Sequence, residues 1–176
     1  MESAMSTVTA PEMIRTRSGI ELLIRPATEY DEREVIEFFK KVSEQDRRFR
    51  FLAADQVVGH EQVEPLVHVD HFRSESFLAF ETGQGQLVAT AQLVCDNPLD
   101  TAEVAVSVRA DYKGKGVAWS MLDVLGREAE KRGVRRVISI EDRANRAAIE
   151  LECEQGFTAE PFEGDPDLVL LSKMLR

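Results

Sequence analysis

The chain has 176 residues and a net charge of −10, from 22 Lys and Arg against 32 Asp and Glu, and 43% of it is hydrophobic. That length and apolar content suit one buried core and leave no room for a second full domain. The acid surplus, with a sequence pI near 4.9, excludes a duplex nucleic-acid binder, which needs excess Lys and Arg to neutralise phosphates, and suits basic partners instead.

Cys95 and Cys153 are too few for a disulfide scaffold and lack the paired spacing of a zinc ribbon, so both are expected as reduced thiols. Residues Met1 to Met13 contain no continuous apolar segment, and no run of ~18 apolar residues follows. A cytoplasmic protein without membrane partners is the expectation.

Residues 1–17 are rich in Ser, Thr and Pro without periodicity and are expected as a flexible tail, leaving 18–176 as the domain. Ile20 to Arg25 is an apolar run closed by Pro26 and predicts a strand. Asp31 then opens a helix whose Val35, Ile36, Phe38, Phe39 and Val42 recur at helical spacing. A second helix is predicted from His60 to His71, with Val63, Leu66 and Val67 as its buried stripe. Phe77 to Phe80 and Leu87 to Val94 are β-type runs joined by Thr82-Gly83-Gln84-Gly85, a hairpin signal. In a third strand, Thr101 to Val108, Ala102, Val104, Val106 and Val108 share one face, and Thr101, Glu103, Ala105 and Ser107 the other. A helix is predicted from Val117 to Arg132, with Met121, Leu122, Leu125 and Ala129 inside and Gly133 as its stop. Val134 to Ile140 predicts a strand, Asn145 to Glu154 a helix closed by Gly156, and Thr158 to Phe162 with Leu168 to Lys173 a final hairpin. This order is mixed α/β and fits neither a doubly wound sheet nor a barrel.

The sharpest local feature is Asp111-Tyr112-Lys113-Gly114-Lys115-Gly116-Val117-Ala118, between a strand and an amphipathic helix. Glycines let a backbone approach an anion closely, and free N–H groups at a helix start point outward with the positive end of the dipole behind them. Lys113 and Lys115 add charge suited to a pyrophosphate. A P-loop is excluded, because a single residue separates Gly114 from Gly116. A dinucleotide fingerprint is excluded because Trp119 stands where a third small residue is required. On these residues alone, a charged loop eased by glycine remains an equal reading.

The turn resembles the (Gln/Arg)-x-x-Gly-x-(Gly/Ala) pyrophosphate loop of GNAT acetyltransferases, with Lys113, Gly116 and Ala118 at its defining positions; Lys113 departs from the usual Gln or Arg. Asn145 to Phe157, ending Glu154-Gln155-Gly156-Phe157, is similar to the family's later Asn-containing helix and closing Gly-Phe. Leu23-Ile24-Arg25-Pro26 before an acidic helix start matches too. Phe38-Phe39, Asp46-Arg47-Arg48-Phe49-Arg50-Phe51 and Ala102-Glu103-Val104-Ala105-Val106 resemble, more narrowly, the acetyltransferase domain of bacterial protein lysine acetyltransferases of the Pat type.

The resemblance implies a GNAT fold: a mixed, mostly antiparallel central sheet flanked by helices, with two strands splayed at the acetyl-CoA site. It implies that the main chain of Val106, Ser107 and Val108 pairs with pantetheine and that Lys113, Gly114, Lys115, Gly116, Val117, Ala118 and Trp119 hold the pyrophosphate. Asn145 is implied to meet the pantetheine or phosphate side, and Glu103 to be the general base. Acetyl-CoA is then the co-substrate, no metal is needed, and the partner is a protein presenting lysine to a monomer or homodimer. A small-amine acetyltransferase and a CoA-binding module with little catalysis are the alternatives. Glu152 stands where many family members carry a Tyr that protonates the departing thiolate. Glu64, His68 and His71 fall on one face of the predicted second helix, but nothing else supports a metal there.

Overall fold

The alternating and apolar runs pair into one eight-stranded sheet, ordered β1-β2-β3-β4-β5-β6-β8-β7. The computed structural model describes residues 9–51 and 57–175. Its strands are β1 (Glu12–Arg15), β2 (Glu21–Pro26), β3 (Ser74–Glu81), β4 (Gln86–Cys95), β5 (Thr101–Val108), β6 (Arg136–Asp142), β7 (Thr158–Pro161) and β8 (Leu168–Met174). Every neighbouring pair is antiparallel except β5 and β6. The helices are α1 (Glu32–Phe39), α2 (Glu44–Phe51), α3 (His60–Val67), α4 (Val117–Lys131) and α5 (Arg146–Glu154).

Both faces of the sheet are covered, which is why β3 and β4 read as nearly continuous apolar runs. On one face Val35, Phe38 and Phe39 of α1 and Val63, Leu66 and Val67 of α3 enclose Leu78 and Leu87. On the other, Met121, Leu122, Leu125 and Ala129 of α4 meet Ala91, Leu93, Ala102, Val104 and Val137. Gly133, with φ 74, ends α4 as a left-handed stop, the conformation glycine adopts at least cost.

The structure corrects two sequence-based expectations and adds one helix the sequence reading did not assign. Part of the expected tail is β1, whose Glu12 to Arg15 pair with Ile24 to Glu21; four residues on a sheet edge are too short to show a period. Glu44–Phe51 is a helix although none of its residues is buried, so it carries no apolar stripe to detect. The helix predicted to reach His71 stops at Val67. Beyond it, Asp70 Oδ1 accepts the N–H groups of Phe72, Arg73 and Ser74, a local turn that competes with helix, and His71 sits at φ 61. The face that Glu64, His68 and His71 were to share therefore does not form: Glu64 lies beside His60, and His71 bonds Glu75. No helix among the described residues is long and apolar enough to cross a membrane.

Candidate active site

Strands β5 and β6 run parallel but pair only through Thr101–Arg136, Ala102–Val137 and Glu103–Ile138. Past that point β6 continues to Asp142 against β8, and β5 continues to Val108 against β4. The two strands thus splay, and among the described residues no strand lies between the facing edges of Val104–Val108 and Ser139–Asp142. The alternation of β5 also changes there: Ala102 and Val104 are buried, Val106 and Val108 are only partly covered, and Ser107 is buried. Unsatisfied backbone at such an edge favours an extended ligand that pairs as an added strand.

At the open end of the splay the chain turns into α4. Gly114 has φ 73 and Gly116, the residue that caps the helix, φ 79. A Cβ on Gly116 would lie 3.4 Å from the Arg17 nitrogen and 3.5 Å from Thr16 Cβ, whereas Gly114 faces open space. The first N–H groups of α4, on Val117, Ala118 and Trp119, have no intrahelical acceptor and carry the positive end of a 15-residue helix. The residues after β1 brace this turn. Ser18 Oγ donates to the Lys115 carbonyl at 2.5 Å, and the Arg17 guanidinium stacks 4.0 Å above the Trp119 ring. Lys115 Nζ lies 5.1 Å over the Tyr112 ring, and Lys113 Nζ is paired with Asp46 Oδ2 of α2 at 2.7 Å.

Around the fork of the splay, charged groups converge from four elements. Glu103 is exposed on β5 at the last paired position. Arg50 of α2 donates to Gln92 Oε1 of β4 at 2.9 Å and lies within electrostatic reach of Glu103 and Glu141. Burial pushes Arg50 down, and those two carboxylates oppose the shift. Glu141 of β6 accepts from Ser139 Oγ at 2.9 Å and from Asn145 Nδ2 at 3.3 Å, and it bonds Glu152. Asn145 Oδ1 accepts the Ala148 N–H at 3.4 Å, capping α5. Burial, then the Glu141 charge, push Glu152 up to about 8, and burial raises Glu141 as well.

A family model described as acetyltransferase (GNAT) matches residues 20–157. The chain belongs to the GNAT acetyltransferase family. An acetyltransferase of Pseudomonas aeruginosa is 29% identical over 153 residues, covering 85% of this chain and 80% of that protein. The GNAT domain of S. lividans PAT superposes with a TM-score of 0.86 at 24% identity, covering 99% of this chain and 100% of that one. Spermidine N-acetyltransferase from Vibrio cholerae, solved with CoA and spermine, gives 0.70 at 16% identity over 87% of this chain and 95% of that one. At such identities the two structural likenesses are likenesses of fold. Family membership makes this an acetyl-CoA-dependent N-acetyltransferase on a GNAT fold.

The expected residues of this GNAT chain fall at four places. Val106 to Val108 edge the splay and Lys113 to Trp119 form the turn at its mouth, whereas Glu103 sits at the fork. Asn145 is at the start of α5, where its amide is engaged by Ala148 and Glu141. Asp46 and Arg50 entered the sequence reading only as part of a motif of the resemblance, without a role, and Glu141 not at all, since each gains meaning only through a partner distant in the chain.

Proposed function

We propose that this GNAT enzyme transfers acetyl from acetyl-CoA directly to the side-chain amine of protein lysines, with Glu103 as general base. The observation that carries this reading is the position of Glu103: an exposed carboxylate at the last residue before the two strands part, facing Arg50. Pantetheine lies in the splay against the main chain of Val106, Ser107 and Val108. The pyrophosphate rests on the N–H groups of Gly114, Lys115, Gly116, Val117, Ala118 and Trp119, beside Lys113. Asn145 supports this site from the β6 side, holding Glu141 and the start of α5.

A lysine amine has a pKa of ~10.4 and is almost wholly protonated near neutral pH, so it must lose a proton before it attacks. Glu103 takes that proton, the neutral nitrogen adds to the thioester carbon, and collapse of the adduct expels sulfur as the nitrogen gives up a second proton to solvent. The net charge of −10 favours a cationic acceptor. It suits lysine-rich protein and polyamine alike, and the spermidine enzyme of the same fold makes a polyamine the second reading.

The test offers labelled acetyl-CoA together with a bacterial protein extract and a panel of small amines that includes spermidine. Label on protein lysines, lost by ~10²- to 10⁴-fold in Glu103→Gln with acetyl-CoA affinity unchanged, is the expected result. Label confined to small amines overturns the protein acceptor. Full rate in Glu103→Gln removes this residue as base.

A further inference from the structure

The gap between β5 and β6 is lined on its β6 side by a feature that ordinary stability does not explain. Glu152 is the buried residue of α5, 5% exposed, and it points at a second carboxyl, Glu141, rather than at a cation. We propose that Glu152, held protonated against Glu141, is the acid that protonates the sulfur of coenzyme A as the thioester bond breaks. The proposal rests on acetyl transfer as the reaction and is independent of which amine accepts.

Counting hydrogen-bond donors places the proton. The Ser139 hydroxyl and the Asn145 amide both donate to Glu141, one to each oxygen. Ser139 also touches Glu152, but a hydroxyl carries a single hydrogen and it is directed at Glu141. Glu152 Oε2 is buried with no hydrogen-bond partner among the described residues. Leaving an ionised carboxylate dry and unpaired is far more costly than protonating it. Arg50 adds positive charge on the Glu141 side, so Glu141 is the ionised member and Glu152 the neutral one. The two share one proton, as like charges at contact cannot both persist.

The location suits a proton donor. Glu152 packs against Ser139 and Glu141, on the stretch of β6 that β5 no longer covers. Three residues on, Gln155 Nε2 donates to the Trp119 carbonyl at 2.9 Å, tying this end of α5 to the first turn of α4. The acid therefore packs on the stretch of β6 that borders the splay, on the helix whose end is tied to the first turn of α4. A thiol of ordinary acidity loses its proton near ~8.5, so a donor held at about 8 hands it over with little driving-force penalty. In the balanced step the carbon–sulfur bond breaks, sulfur keeps the electron pair and takes the Glu152 proton, and the amide keeps the acetyl group. Of the two protons the ammonium loses, the first goes to Glu103 before attack and the second leaves the adduct nitrogen for solvent, and Glu152 is reprotonated from solvent.

The test measures kcat against pH for wild type, Glu152→Gln and Glu141→Gln, with acetyl-CoA affinity by calorimetry and folding by circular dichroism. Wild-type kcat is expected to fall above about pH 8 as Glu152 ionises. Glu152→Gln is expected to lose ~10²-fold in kcat, with acetyl-CoA affinity within about twofold, and to lose that alkaline limb. Glu141→Gln removes the charge that holds the proton and moves the limb to lower pH. An unchanged rate in Glu152→Gln, or a uniform loss with the limb retained, overturns the proposal while leaving acetyl transfer intact. No transfer by wild type to any amine overturns both. A titration of glutamate carboxyl carbons by NMR in the wild-type protein is independent of the variants: a carboxyl that ionises near 8 is expected, and none doing so overturns the assignment.

Discussion

Gly114 and Gly116 both adopt positive φ, yet they are not equivalent. At Gly114 a side chain meets only the backbone strain of the left-handed region, about 1 kcal/mol, because nothing lies within 4 Å. At Gly116 the same strain is joined by a contact at 3.4 Å with the Arg17 nitrogen, a backbone atom that cannot rotate away. Gly116→Ala is therefore expected to lower the melting temperature more than Gly114→Ala, by the equivalent of ~1 kcal/mol or less between them. Equal melting temperatures would mean that residues 16–18 do not brace the turn. Gly116→Asp carries the same strain and also sets a carboxylate where the pyrophosphate is proposed to lie. It should bind acetyl-CoA far more weakly than Gly116→Ala, and equal affinities would remove the turn from the site.

Helix α2 packs Phe51 edge-on against Phe39 of α1 at 5.1 Å and is otherwise held by polar contacts. Arg47 donates to the Phe39 and Val42 carbonyls at the end of α1, Asp46 holds Lys113, and Arg50 reaches β4. Through Asp46 it competes with any anion for Lys113. The pair is half exposed, at 48% and 22%, so it is worth less than ~1 kcal/mol. Asp46→Asn is accordingly expected to tighten acetyl-CoA binding by up to about fivefold, with a steeper dependence on salt, by calorimetry. Weaker binding would show that Asp46 orients Lys113 rather than occupying it. This helix also marks the limit of what the sequence discloses. Elements that bury a periodic face, such as α1, α4 and the β3–β4 hairpin, were legible because burial imposes a pattern on neighbouring residues. So was the turn from Lys113 to Trp119, where glycines and charges sit together in the chain. A helix with no fully buried residue, an edge strand of four residues and a carboxyl pair joined across β6 and α5 impose no local pattern. Glu152 was visible only as a departure from a family habit, and its partner Glu141 not at all.

For the molecule as a whole, a buried carboxyl facing another carboxyl is a stability cost that an apolar or amide side chain would not incur. The unfolded chain releases the Glu152 proton near ~4.5, whereas the folded chain keeps it up to about 8. Between those values the folded state binds more protons than the unfolded one. Stability from this group is thus fully present below ~4.5 and is lost as pH rises, at up to about 1.4 kcal/mol per unit, levelling off above about 8. Asp31 acts in the opposite sense. Its bond to Arg25 holds it below the usual carboxylate range, so its contribution is present above ~4 and vanishes as pH falls through its folded value. The measured pH profile of wild type mixes the two, and the difference between wild type and Glu152→Gln separates them. Urea unfolding at pH 5 and pH 8 should show the variant gaining on wild type as pH rises, by a few kcal/mol at the upper value. The same variant is expected to be the slow one in acetyl transfer, so that stability and rate move in opposite directions at a single side chain. A stability difference that stays flat with pH would show that Glu152 is already ionised in the folded protein, and an acid that has no proton cannot serve the thiolate.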